Sequence, residues 1–228
     1  MNRWTIAVAA AVVVIGGGAA WWFSQGTEAP STDVTAPPVE TSTTAATTPA
    51  STSTTEASAP VTYSLTDDSI ASFTITEELR GTPTTVVGVS DIVLGEVLFD
   101  PSDPSSLQIG TILVNARAFE TDSSNRNRAI RGPILDADTF EFIEFVPTSI
   151  DEGTEGEFTV TGDLTIRDQT NPVTFEVVAE IDGEIVRGTA TATVDRTLWG
   201  LNIPSAPGVA NVSEMVTLTL DFVAAPTS

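Results

Sequence analysis

The chain of 228 residues contains no histidine, no cysteine and no lysine; its nine basic residues are all arginines, at positions 3, 80, 117, 126, 128, 131, 167, 187 and 196. Without His or Cys there is no Ser-His-Asp or Cys-His triad, no zinc site of the usual ligands, no c-type haem and no iron–sulfur cluster. Without Lys there is no Schiff base to pyridoxal phosphate and no Walker A lysine. Structural disulfides and a lipidated N-terminal cysteine are excluded as well. Cations are scarce too: 31 acidic residues stand against those nine arginines, a net charge of −22. Such a chain repels nucleic acid phosphates and anionic headgroups, so nucleic acid is not an expected partner. What remains is carboxylate, hydroxyl and arginine chemistry.

Three zones follow one another. Residues 5–23 (TIAVAAAVVVIGGGAAWWF) carry no charge and are long enough to cross a hydrocarbon core as a helix. Arg3 precedes the run and the next basic residue is Arg80, which puts the N-terminus in the cytoplasm and the rest outside. Gly18-Ala19-Ala20 offers the alternative of a cleaved signal peptide. Aromatic residues at both ends, Trp4 and then Trp21, Trp22 and Phe23, favour a transmembrane anchor, so residues 1–23 are expected to tie the protein to the cell membrane as a single-pass span. In residues 24–60, 29 of 37 are Ser, Thr, Pro or Ala and none is aromatic. This stretch cannot bury enough apolar surface to offset the entropy of ordering and is expected to be a disordered linker. Residues 61–228, with a charge of −19 from 27 acids and eight arginines, form the one segment that can fold as a domain.

Period-two alternation dominates that domain. In FTVTGDLTI (158–166) every even position is apolar or Gly and every odd one polar, the pattern of a strand with one dry face. Residues 173–182 repeat it, Asp182-Gly183 supplies a hairpin turn, and Val186, Gly188, Ala190, Ala192 and Val194 form the next apolar face. Residues 216–222 close the series; 61–65, 69–76, 86–99, 107–118 and 142–149 are further strands. Short turns between many strands predict an all-β antiparallel barrel or sandwich. Residues 123–141 (SSNRNRAIRGPILDADTFE) break the alternation and predict a short helix stopped by Gly132-Pro133, then a second turn begun at Asp136. The small face at Gly188, Ala190 and Ala192 leaves room for an apolar guest inside a barrel; the opposing reading is that large residues such as Phe158 and Phe175 fill the space. Alternation alone leaves both open.

Three stretches carry a resemblance: TGDLTIRDQTNPVTFEV (161–177), ILDADTFEFIEFVPTSI (134–150) and VDRTLWGLNIP (194–204). In this order they resemble the YceI-like family of lipid-binding proteins, and Tyr63 to Asp67 with Ser72-Phe73 fits the family's opening strand. The resemblance implies an eight-stranded, lipocalin-like antiparallel barrel with a short helical cap. It also implies a non-enzymatic carrier whose interior holds a polyisoprenoid or other long acyl chain. No cofactor and no metal is assigned. Departures are Asp168 where the family has Gly, Asp195 where it has Asn, and Ala129-Ile130 where it has His-Leu.

Candidate ligand-binding residues follow from both lines. Phe73, Phe140, Phe142, Phe158, Phe175 and Trp199 can line a cavity together with Gly188, Ala190 and Ala192. Arg126, Arg128 and Arg131 place three of the domain's eight cations within six residues, suited to an anionic headgroup or to pairing with Glu120, Asp122, Asp136 or Asp138. No catalytic residue is assigned. Rival readings are a filled barrel serving as a structural or protein-interaction module, and a hydrolase using two carboxylates in one cleft.

Overall fold

The computed structural model describes residue 31 and residues 35–38, 60–100, 103–154 and 156–227. Its strands are β1 (Val61–Leu65), β2 (Ile70–Leu79), β3 (Thr82–Ser90), β4 (Val93–Leu94), β5 (Glu96–Asp100), β6 (Asp103–Ile109) and β7 (Ile112–Asn115). They are followed by β8 (Phe142–Glu152), β9 (Glu157–Ile166), β10 (Gln169–Asp182), β11 (Ile185–Asp195), β12 (Val209–Ala210) and β13 (Met215–Pro226). Every pairing is antiparallel, and the ladder runs β4-β7-β8-β9-β10-β11-β13-β1-β5-β6. Strand β13 closes the curl, because it pairs with β11 on one side (Leu220 opposite Ala190) and with β2 and β1 on the other (Leu218 opposite Phe73, Pro226 opposite Tyr63). The product is a curled, barrel-like antiparallel sheet with one short α-helix, α1 (Ser124–Ala129).

The alternation in the sequence reappears as burial. On β9, Val160, Leu164 and Ile166 are buried while Asp163 is exposed; on β10, Val173 and Val177 are buried and Thr174, Glu176 and Val178 exposed. A strand with one wet face gains only from burying the other, so parity fixes which residues point inward. Two apolar clusters result, at opposite ends of β11. One holds Ala192 and Val194 with Trp199, Leu201, Phe119 and Ile130; the smaller one joins Tyr63, Phe99 and Ala224 to Val186. Each large side chain so buried contributes about 1.5–3 kcal/mol. Among the buried polar groups, Ser90 Oγ donates to Asn115 O at 2.9 Å, and Ser69 Oγ both donates to Val223 O and accepts from Val223 N at 3.1 Å, whereas Arg167 Nε is buried without a hydrogen-bond partner.

The helical segment departs from expectation at its end. Gly132-Pro133 does not stop the chain: α1 passes directly into a π turn, Ile130–Ile134, with Pro133 inside it and Leu135 N bonded to Ile130 O at 2.9 Å. The wider i→i+5 winding accommodates a residue that has no N–H to give. The second turn does begin at Asp136, in the left-handed region at φ 47°, where Thr139 N and Phe140 N both bond to its carbonyl. Asp168, where the resembled pattern has Gly, needs no special backbone, since the left-handed residue of that turn is Arg167 at φ 59°. Asp195 accepts from Thr197 N (2.9 Å) and Thr197 Oγ1 (2.7 Å), capping the 3-10 turn Arg196–Trp199, and the Thr197 hydroxyl first and its amide second hold the carboxyl below its ordinary pKa.

The expected single-pass membrane anchor is corrected. Among the described residues no helix is long and apolar enough to cross a membrane, so neither the membrane location nor a membrane contact through an N-terminal helix is retained. The apolar run at 5–23 lies outside the described residues. Within the stretch read as a linker, the backbone N–H of Ser31 donates to Glu141 Oε1 at 2.6 Å.

Candidate functional site: an apolar cavity inside the barrel

A cavity of about 310 Å³ occupies the interior. Inward positions of successive strands supply its wall: Phe73 and Ile75 from β2, Ile143 and Phe145 from β8, Phe175 and Val177 from β10, Ala190 from β11, and Leu218, Leu220 and Phe222 from β13. Phe119, Ile130 and Ile134 close the capped end. Aromatic rings pack in tilted pairs, Phe145 on Phe175 with centroids 5.0 Å apart and Phe73 on Phe119 at 5.5 Å, geometries favoured by the ring quadrupoles.

Of the residues proposed from sequence, Phe73, Phe175, Ala190 and Arg126 line this cavity. Ala192 is buried in the neighbouring core cluster, and so is Trp199, whose indole N–H donates to Leu164 O at 2.9 Å. Phe142 has the outward parity of the exposed Val146, and Phe140 sits in the turn after Asp136; neither lines the cavity. Phe158 pairs with Val177 but lies outside the lining as well. Gly188 does not provide the room that its small face suggested. Phe222, directly opposite on β13, lies across it, so that a Cβ there would run into that ring and into the Val178 carbonyl. Gly88 takes the Phe73 ring in the same way, which is how flat aromatic side chains fit inside so narrow a barrel.

The three arginines separate. Arg126 reaches the cavity, where Nη2 contacts Glu77 Oε1 at 3.0 Å and Nη1 contacts Asp122. Arg128 is exposed and donates to Asn125 Oδ1 at 3.2 Å. Arg131 donates to Phe119 O and pairs with Glu120 (3.3 Å) on a separate outer cleft shared with Ile70, Val89 and Arg117. Helical geometry explains the split, since positions 126, 128 and 131 point in different directions around one axis.

Two charged wall residues are absent from the ligand-binding candidates named from sequence. Glu77 has the inward parity of Ala71, Phe73 and Ile75, the one signal that could have found it, and its side chain is 8% exposed. Arg196 also lines the cavity and donates to Ser213 O (2.9 Å) and Leu201 O (2.6 Å), bracing the turn that carries Trp199. A third ionic cluster lies away from the cavity. Arg117 donates to Ala137 O and Asp138 O and pairs with Glu141 Oε2 at 3.0 Å, while Asn115 Nδ2 donates to Glu141 Oε1 at 2.9 Å. Burial pushes the Glu141 carboxyl up, but hydrogen bonds from Ser31 and Asn115 and the Arg117 charge together outweigh it and hold the pKa below its ordinary value.

A curled antiparallel sheet around a largely apolar cavity defines a small barrel of the ligand-enclosing class. The model of the YceI-like domain matches residues 41–224, and the chain belongs to the YceI-like family. It is 26% identical over 134 residues to UPF0312 proteins of Shewanella sp. strains ANA-3 and MR-7, covering 56% of this chain and 70% of each relative. Among solved structures it is similar to Burkholderia cenocepacia BcnA (TM-score 0.57, 21% identity, 68% of this chain and 95% of that one). It is also similar to a polyisoprenoid-binding domain of Saccharophagus degradans (TM-score 0.54, 11% identity, 73% and 99%). At these identities the structural likenesses establish the fold.

Proposed function

We propose that this protein binds an isoprenoid or acyl chain inside the barrel and acts as a carrier or sequestering protein for it. The observation that carries this reading is the cavity wall, built from aliphatic and aromatic side chains of facing strands with Glu77, Arg126 and Arg196 as its charged members. An apolar guest gains about 0.8 kcal/mol for each methylene taken from water, and such a wall offers it no competing polar site. The Saccharophagus degradans domain, described as polyisoprenoid-binding, supports the same reading by analogy of fold. At roughly 30 Å³ per water-sized group, the volume admits a chain of at least about ten carbons.

The wall itself reads as the eight strands expected from the resemblance once consecutive segments are merged: β1 with β2, β3 with β4 and β5, β6 with β7, then β8, β9, β10, β11 and β13. Registers support the merger, because Tyr63 opposite Val97 and Phe73 opposite Gly88 belong to one antiparallel offset within a single residue. The lining places one carboxylate, Glu77, in the cavity, and it is paired with Arg126, so the two-carboxylate arrangement of a hydrolase has no counterpart there.

The test is a titration of the full chain with N-phenyl-1-naphthylamine, a neutral fluorophore that brightens in apolar surroundings. One saturable site, emptied by a ten-carbon prenol, is the expected result. Fluorescence that rises without saturating, or that the prenol leaves unchanged, would overturn the proposal.

A further inference from the structure

Resting on the reading that the cavity holds an apolar chain, we propose that its rim selects guests whose polar end is uncharged and rejects those ending in phosphate or carboxylate. Asp122, which Arg126 contacts, is 83% exposed, whereas Glu77 is 8% exposed. The Glu77–Arg126–Asp122 group therefore marks where the cavity meets water, and it sets two carboxylates against one guanidinium. Arg196, the other cationic wall residue, has its Nε and Nη1 committed to the carbonyls of Ser213 and Leu201, and its charge acts on neighbouring Asp195. Arg128 and Arg131, the remaining cations of the helical segment, lie outside the lining. At the Glu77–Arg126–Asp122 group the carboxylates outnumber the guanidinium two to one. An anionic headgroup entering here sheds water, meets guanidinium groups already engaged, and does so inside a domain of charge −19. An alcohol, amide or phenol end sheds less hydration and can both accept from Arg126 and donate to Glu77.

The cluster of three arginines that the sequence offered as an anion site thus has the opposite effect at the cavity: its one cavity-facing member arrives already neutralised. The guest class that fits is a neutral-headed chain of isoprenoid or acyl type.

The experiment is calorimetric titration of the full chain with geraniol and with geranyl monophosphate, which share one ten-carbon chain. A like-charge juxtaposition disfavours the anion, so the phosphate is expected to bind at least about tenfold more weakly, about 1.4 kcal/mol. Glu77→Gln removes one rim carboxylate and is expected to narrow that gap by strengthening phosphate binding relative to geraniol. The wild-type comparison stands without the variant if Glu77→Gln fails to fold. Equal or tighter binding of the phosphate by the wild type would overturn the selectivity and leave the chain-binding reading intact. Failure of both probes to bind would overturn the chain-binding reading and the selectivity with it.

Discussion

Ala190 offers the cleanest perturbation of the cavity, because it lines the wall between Val177 and Leu220 and its side chain is, with that of Ala71, the smallest in the lining. Ala190→Leu adds three carbons that project into the cavity, leaving the strand registers as they are. If a guest occupies that space, it must vacate a matching volume. Three methylene equivalents at about 0.8 kcal/mol each remove about 2.4 kcal/mol of binding, roughly a 50-fold rise in Kd. The same substitution fills empty apolar volume in the ligand-free protein, so Tm should stay level or rise. The assay pairs naphthylamine titration with thermal unfolding followed by circular dichroism. A variant with unchanged Tm and an affinity within twofold of wild type would refute the reasoning, since it would place the bound probe elsewhere. A large drop in Tm would show instead that the space around Ala190 is already filled by side chains.

Three further outcomes follow from single contacts. Gly188→Ala puts a Cβ against the Val178 carbonyl and the Phe222 ring and should lower stability in urea by about 1–3 kcal/mol, the cost of overpacking a fitted interior. Trp199→Phe removes the indole donor to Leu164 O at a site only 2% exposed and should destabilise by about 1–3 kcal/mol, with naphthylamine affinity little changed because Trp199 is not part of the cavity wall. For Glu141 the folded pKa is depressed, so its contribution is complete above the unfolded value near 4.5 and is lost as pH falls through the folded pKa. Urea melts at stepped pH should show stability falling below about pH 4.5, and in Glu141→Gln that portion of the slope should vanish.

The sequence made most of the wall legible because one-sided strands leave a parity that survives without knowledge of the partner strand. Residues 158–166 and 173–179 show this directly, with their inward positions buried or half-buried, whereas Ile181 at the end of the second run is exposed. Continuity was less legible. The runs read as single strands over 86–99 and 107–118 are interrupted, at Asp91-Ile92 and Gly95 and again at Gly110-Thr111, where the ladder pairing breaks, and the second ends in the 3-10 turn Ala116–Ala118. Register was not legible at all, and it decides the site. Nothing local to Gly188 reveals that Phe222 lies across it, nor does anything in the arginine cluster reveal that Glu77, 49 residues earlier, meets Arg126. Alternation predicts which face a residue takes; whether that face holds space or a neighbour's ring depends on pairings set by the whole barrel.

The central claim, that the interior is a site for an apolar chain with an uncharged end, is tested most directly by native mass spectrometry of the full chain after incubation with an equimolar mixture of geraniol and geranyl monophosphate. The account predicts a one-to-one complex at the mass of the alcohol and little at the mass of the phosphate. A spectrum showing only the unliganded chain, or the phosphate as the dominant bound species, would contradict it.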